Sequence, residues 1–139
     1  MTLHVELVVP DREVWSGSAR MVIAKTQDGD IGVLGSHPPV IGLLADGSLV
    51  RILGAESSGS GGSGGTEDEV VAAVSGGFLS VSGDRVSILA RQAELGRDID
   101  TSAARAELDE VAAETQPGGE ESAETRYARA RLRAAGEQA

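Results

Sequence analysis

Residues 2–9 alternate: Leu3, Val5, Leu7 and Val9 fall on one face, His4, Glu6 and Val8 on the other. That two-residue period predicts a half-buried strand, which Pro10-Asp11 stops. A short strand follows at about 13–16, and the β-branched stretch Ala19 to Thr26 predicts another, ended by the turn residues Asp28-Gly29-Asp30. Ile31 to Leu34 is apolar. In Gly35-Ser36-His37-Pro38-Pro39 the prolines force extended, donor-poor backbone, and His37 is biased away from helix by the proline after it. Val40 to Leu44 is another apolar run, and Asp46-Gly47 predicts a tight hairpin turn into Ser48 to Leu53. Strand character returns at Val70 to Ser75, Phe78 to Ser82 and Val86 to Ala90, punctuated by Gly76-Gly77 and Gly83-Asp84. About nine short strands and no helical period in this region predict a β-sandwich or barrel.

Two segments break the pattern. Residues 54–69 are linker-like: five of the 19 glycines lie between Gly59 and Gly65, interleaved with serines. Such chemistry buries too little apolar surface to offset ordering entropy, so a flexible hairpin tip is expected there. After Arg91 the period becomes helical. Asp100 or Thr101 is placed to cap a helix reaching about Glu114, with Ala104, Leu108 and Val111 as a narrow apolar stripe. Pro117-Gly118-Gly119 breaks it, and a second helix is expected from Ala123 to Ala135. The expected division is a β-sandwich over 1–92 and a two-helix hairpin over 93–139. The hairpin's thin stripe makes it marginal alone, so it is expected to dock or to move.

The chemistry of the chain is defined largely by what is missing. It has 139 residues and no cysteine, which removes disulfides, thiolate metal sites and thiol nucleophiles; His4 and His37 are its only histidines. The only lysine, Lys25, has no glycine-rich phosphate loop before it. Asp28-Gly29-Asp30 begins like a calcium loop, but Ile31-Gly32-Val33 abandons the alternation of ligands. No catalytic constellation is visible, so no enzyme, metal or cofactor is expected. The longest apolar runs fall far short of the ~20 residues needed to span a bilayer, and the alternation from Thr2 onward, with no basic segment followed by an apolar core, is not the pattern expected of a signal peptide. The net charge of −10 argues against nucleic acid and anionic membranes as partners. It is unevenly spread: residues 93–124 carry −8 and residues 125–139 carry +3. Arg126, Arg129 and Arg133 share one helix face at i, i+3, i+7, which suits an acidic protein surface as well as solvent.

Taken in order, Leu3 to Pro10, Gly29-Asp30-Ile31-Gly32-Val33-Leu34, Gly35-Ser36-His37-Pro38-Pro39, Ser75-Gly76-Gly77-Phe78-Leu79, Val86-x-Ile88-Leu89-Ala90 with Ala93-Glu94, and Asp98-Ile99-Asp100 resemble the epsilon subunit of bacterial F-type ATP synthases over nearly the whole chain. The resemblance implies an N-terminal β-sandwich followed by two helices. It implies a non-catalytic rotor subunit that binds the gamma subunit and the membrane c-ring, couples rotation to ATP synthesis, and restrains ATP hydrolysis through its helices. By position it implies a c-ring contact at Asp30, Ile31, Gly32, Val33 and His37, within a loop from Asp30 to Pro39. It implies a contact of Arg126, Arg129 and Arg133 with acidic residues of the catalytic alpha/beta subunits. The implied location is the cytoplasmic face of the plasma membrane, without direct insertion. Some family members bind regulatory ATP with an arginine after the Ile-Asp pair; here Ile99-Asp100 leads to Ala103-Ala104, and Arg105 lies two positions late, about 200° around the helix. The alternative is a free-standing β-sandwich that binds a small ligand, for which 2% aromatic content is poor equipment.

Overall fold

The computed structural model describes residues 2–57, 66–114 and 119–137. Ten strands are present: β1 (Leu3–Val9), β2 (Arg12–Ala19), β3 (Met21–Thr26), β4 (Gly29–Leu34), β5 (Val40–Leu43), β6 (Ser48–Ser57), β7 (Thr66–Ser75), β8 (Phe78–Ser82), β9 (Arg85–Leu89) and β10 (Gln92–Leu95). A single 3₁₀ turn at Gly96–Asp98 leads to α1 (Thr101–Ala113), and α2 (Ala123–Ala134) ends the described fold. This is the expected class, a mostly β sandwich followed by two helices.

The strands form one curled sheet in the order β10-β7-β6-β2-β1-β9-β8-β5, from which the β3–β4 hairpin branches by pairing β3 with β6. Among the described residues β1 and β9 form the one parallel pair, and four of the eight antiparallel pairs join hairpin neighbours: β1–β2, β3–β4, β6–β7 and β8–β9. The alternation read in residues 2–9 is realised: Leu3, Val5, Leu7 and Val9 are all buried. They meet Val22, Val33, Val50, Ile52, Val74, Leu79, Val86 and Ile88 in the sandwich core. Among the described residues aliphatic side chains build this interior almost alone, with Trp15 the single large ring in it.

Two strand boundaries differ from expectation. β10 falls where no strand was expected; its four residues pair antiparallel with β7 and send Ala93 and Leu95 into the core. Four residues are too few for a period to be read, and only pairing with β7 makes them a strand. Within the stretch expected to be a flexible tip, residues 54–57 and 66–69 belong to β6 and β7, paired through Ala55 opposite Glu67 and Glu56 opposite Thr66. Residues 58–65, the glycine-rich centre of that stretch, lie outside the described residues, as do 115–118 with Pro117 and Gly118.

Asp100 caps α1 as its sequence suggests, and Ser122, not selected from the sequence, caps α2. The Asp100 carboxylate accepts from the N–H groups of Ser102 and Ala103 at 3.0 and 3.2 Å. The Ser122 hydroxyl accepts from Thr125 at 3.1 Å. Ala104 and Leu108 of α1 are buried against Ala128 and Leu132 of α2, with Ile99 and the half-buried Val111 completing a small core separate from that of the sandwich. α2 in turn lies on β6 and β7. The hairpin is therefore docked, and α2 is the helix between α1 and the sheet.

Candidate functional site

Three surfaces hold the residues singled out from the sequence. The first runs along β4 and the loop after it. Among the described residues β4 pairs only with β3, which makes it an edge strand. Asp30 is exposed near its start and opposite Lys25, Ile31 is half-buried, Gly32 is exposed, and His37 is half-buried in the loop beyond its end. Val33 has no exposed surface and belongs to the sandwich core, so its side chain is not available to a partner, contrary to its place among the expected contacts. The pleat is the reason: on a strand with one buried face, Val33 must face inward while its neighbours Gly32 and Leu34 face out. Leu34, not selected from the sequence, is 53% exposed there.

The stretch expected as one loop from Asp30 to Pro39 is instead a strand followed by a loop. Along β4, with a rise of about 3.3 Å per residue, Gly29 and Leu34 are separated by roughly 16 Å. Asp30 and His37 thus stand toward opposite ends of the strand. The His37 end is fixed by two contacts. The backbone N–H of Ser36, a residue with φ of 64°, donates to the Asp84 carboxylate at 3.0 Å, and His37 Nδ1 lies 2.7 Å from the Pro38 carbonyl oxygen.

The Asp30 end opens on the second surface, a cleft of about 760 Å³ between the sheet and α2. Lys25, Asp30, Asp46, Arg51, Arg126 and Arg133 line it, and no aromatic side chain does. Here the structure brings together residues that were assigned to two different partners: Asp30 shares a cleft with Arg126 and Arg133. Arg129 does not join them; it pairs with Glu121, the residue just before the α2 cap. The Arg129 hydrogen bond holds the Glu121 carboxyl below the usual glutamate range.

Arg131 escaped the sequence reading because it lies off the i, i+3, i+7 face. Its guanidinium bridges Glu94 of β10 at 2.9 Å and Glu107 of α1 at 2.7 Å, with only 15% of the side chain exposed. Burial opposes its charge, but the Glu94 hydrogen bond and the fields of both carboxylates outweigh that, so its pKa is raised. Tyr127, one turn earlier, is also pushed above the usual tyrosine value, chiefly by burial and then by the field of Glu94. No local sequence signal marks this bridge, since Glu94, Glu107 and Arg131 meet only through the fold.

The third surface was not anticipated. On the outer face of β5, β8 and β9 the register sets Leu43 opposite Phe78 and Phe78 opposite Leu89. Val8 of β1 continues the row, and Ile41 flanks it. Ile41 is 75% and Leu43 57% exposed, and Phe78 and Leu89 are exposed as well. A contiguous exposed apolar row across several strands is the kind of patch that marks an interaction surface, unlike scattered exposed leucines.

Among the described residues, no three His, Cys, Asp or Glu side chains are grouped to hold a metal ion, and no helix is long and apolar enough to cross a membrane. The arrangement is suited to contact.

Comparison with known proteins agrees in fold and length. Residues 2–96 match the family described as ATP synthase, Delta/Epsilon chain, beta-sandwich domain. The chain is 52% identical over 134 residues to the ATP synthase epsilon chain of Thermobifida fusca, covering 96% of this chain and 91% of that one. It is 44% identical to the ATP synthase epsilon chain of Streptomyces avermitilis, over 89% of this chain and 91% of the relative. A chain in the mitochondrial ATP synthase structure of Euglena gracilis, comprising OSCP, F1 and c-ring, shares the fold with a TM-score of 0.61 and 23% identity, over 94% of this chain and 75% of that one. With its sandwich matched by the family over residues 2–96 and its relatives matched through most of their length, the chain belongs to the ATP synthase epsilon chain family.

Proposed function

We propose that this chain is a rotor subunit of the central stalk of an F-type ATP synthase, coupling proton-driven rotation to ATP synthesis and restraining ATP hydrolysis through its helices. The observation that carries this reading is the exposed apolar row of Leu43, Phe78 and Leu89, which a lone domain would gain nothing by exposing. This row is assigned to the gamma subunit. The edge of β4 with Asp30, Ile31, Gly32 and Leu34, and the loop carrying His37, are assigned to the c-ring. Arg126, Arg129 and Arg133 are assigned to the acidic surface of the catalytic alpha/beta subunits, where arginine's planar fork suits carboxylates. The chain then sits at the cytoplasmic face of the membrane as a peripheral part of the complex and does no chemistry of its own.

Affinity purification of the tagged chain from bacterial membranes tests the assignment. Recovery of the larger ATPase subunits with it is the expected result, and recovery of the chain alone would overturn the rotor reading. In the recovered complex, replacing Arg126, Arg129 and Arg133 together by Ala is expected to raise ATP hydrolysis several-fold. Unchanged hydrolysis would remove the brake while leaving the stalk.

A further inference from the structure

The loop between β4 and β5 is poor in hydrogen-bond donors. Pro38 and Pro39 have no backbone N–H, and that of Ser36 is spent on the Asp84 carboxylate at 3.0 Å. The His37 imidazole is held within the same loop, its Nδ1 lying 2.7 Å from the Pro38 carbonyl oxygen. A carbonyl oxygen can only accept, so Nδ1 carries the proton of this bond. A neutral imidazole has one N–H, which leaves Nε2 with a lone pair. Pro39 restricts Pro38 to extended backbone, so the carbonyl that fixes the imidazole has little freedom to turn away. Among the described residues Nε2 has no hydrogen-bond partner, and the one buried side-chain polar atom without a partner is Trp15 Nε1, so Nε2 of His37 is open to solvent.

We propose that His37, locked with its proton on Nδ1, presents Nε2 as a hydrogen-bond acceptor and so selects a partner that brings an N–H donor to this loop, best of all a guanidinium. The lone pair is offered to a donor and not to a metal ion, since among the described residues no three His, Cys, Asp or Glu side chains are grouped to share one. Leu34 and Ile41, at the two roots of the loop, are 53% and 75% exposed. A partner that covers both shuts water out around the imidazole, and a hydrogen bond made there is stronger in the drier surroundings. Asp84, whose carboxylate already holds Ser36, sets a negative charge beside the loop and favours a cationic donor over a neutral one. A carboxylate on the partner would meet only a lone pair and that charge. His37 is thus a specificity-determining residue. The partner half of the proposal rests on the assignment of this loop to the c-ring, whereas the tautomer belongs to the chain alone, so the two fail separately.

His4 and His37 are the only histidines, so a long-range proton–nitrogen correlation spectrum of the labelled chain shows two imidazoles, and His37→Gln identifies the one that disappears. At about pH 9, where histidine is neutral, His37 should show a protonated Nδ1 and a bare Nε2. The reverse overturns the lock. The partner is read by the affinity of the chain for detergent-solubilised ATP synthase stripped of its own epsilon subunit. His37→Leu should bind about three- to tenfold more weakly, the worth of one hydrogen bond. His37→Gln, whose amide oxygen reaches about as far as Nε2 and can accept in its place, should bind within about twofold of the unaltered chain. His37→Lys, which offers donors alone, should bind more weakly than His37→Leu. Thermal melting should be the same for all of them. His37→Lys or His37→Leu binding as tightly as the unaltered chain overturns the donor assignment. Failure of the unaltered chain to bind overturns the c-ring assignment and the partner half of the proposal with it, while the spectrum still decides the tautomer.

Discussion

The backbone N–H of Ser36 donates to the Asp84 carboxylate at 3.0 Å, joining residues 48 apart in sequence. One is in the loop that carries His37, the other in the β8–β9 turn, whose carbonyl oxygen at Asp84 also accepts from His4 N–H at 2.7 Å. The loop assigned to the c-ring is thus tied to the sandwich from outside its own hairpin.

Replacing Asp84 by Ala should loosen that loop without unfolding the sandwich. The expected cost is about 0.5–1.5 kcal/mol, the usual worth of one hydrogen bond at a partly exposed site. Hydrogen exchange at the Ser36 amide should accelerate about two- to twelvefold, the same free energy read as a rate, while the amides of β1 and β9 stay protected. Equal acceleration in β1 would mean that Asp84 supports the sheet as a whole.

The apolar row on β5, β8 and β9 should matter to binding more than to folding. Phe78 is 40% exposed, so Phe78→Ser should change stability by about 1 kcal/mol or less. An aromatic anchor at an interface contributes on the order of 2 kcal/mol or more, so affinity for the gamma subunit should fall about thirtyfold. Titration calorimetry with purified gamma subunit checks this, with thermal melting as the control. Unchanged affinity would move the gamma contact to another face.

β10 makes a sharp prediction about where the sandwich ends. A chain ending at Leu95 keeps Ala93 and Leu95 in the core and should fold, with Trp15 buried and binding to gamma retained. A chain ending at Arg91 loses both and bares the edge of β7. Loss of a buried leucine costs about 2–5 kcal/mol, so the shorter chain should melt markedly lower. Equal melting temperatures would show that β10 adds nothing to the sandwich.

The pair of Glu121 with Arg129 predicts acid sensitivity in the hairpin. The native pKa of Glu121 is lowered, mainly by the Arg129 hydrogen bond. The unfolded chain therefore takes up the proton first as pH falls from about 4.3, the usual glutamate value, through the lower native one. The pair's contribution is complete above that window and vanishes below it. Helical melts at pH 6 and pH 3 should show a smaller loss in Glu121→Gln than in the unaltered chain, and equal losses would remove the pair as the cause.

Much of the sandwich was legible because its residues declare themselves in neighbouring positions. The alternation of Leu3, Val5, Leu7 and Val9 is a local signal, as are the Asp46-Gly47 turn and the Asp100 cap. β10 was not legible, because Gln92 to Leu95 is too short for a period and becomes a strand only beside β7. The surfaces were read unevenly. Asp30 and His37 stood out as residues, but their spacing suggested one loop, and the strand between them carries them to separate ends. Val33 shows the same limit: its exposure follows from the pleat and from the face of β4 that meets the core.

The sequence by itself determined the fold class, the order of sandwich and helices, and the absence of thiol chemistry, since these follow from periodicity and composition along the chain. Only the tertiary structure decided that α2 docks on β6 and β7, that Leu43, Phe78 and Leu89 form one apolar row, and that Arg131 reaches Glu94 and Glu107. Each of these joins residues far apart in sequence. No local pattern encodes such a contact; it arises when strand register and helix packing bring the side chains together.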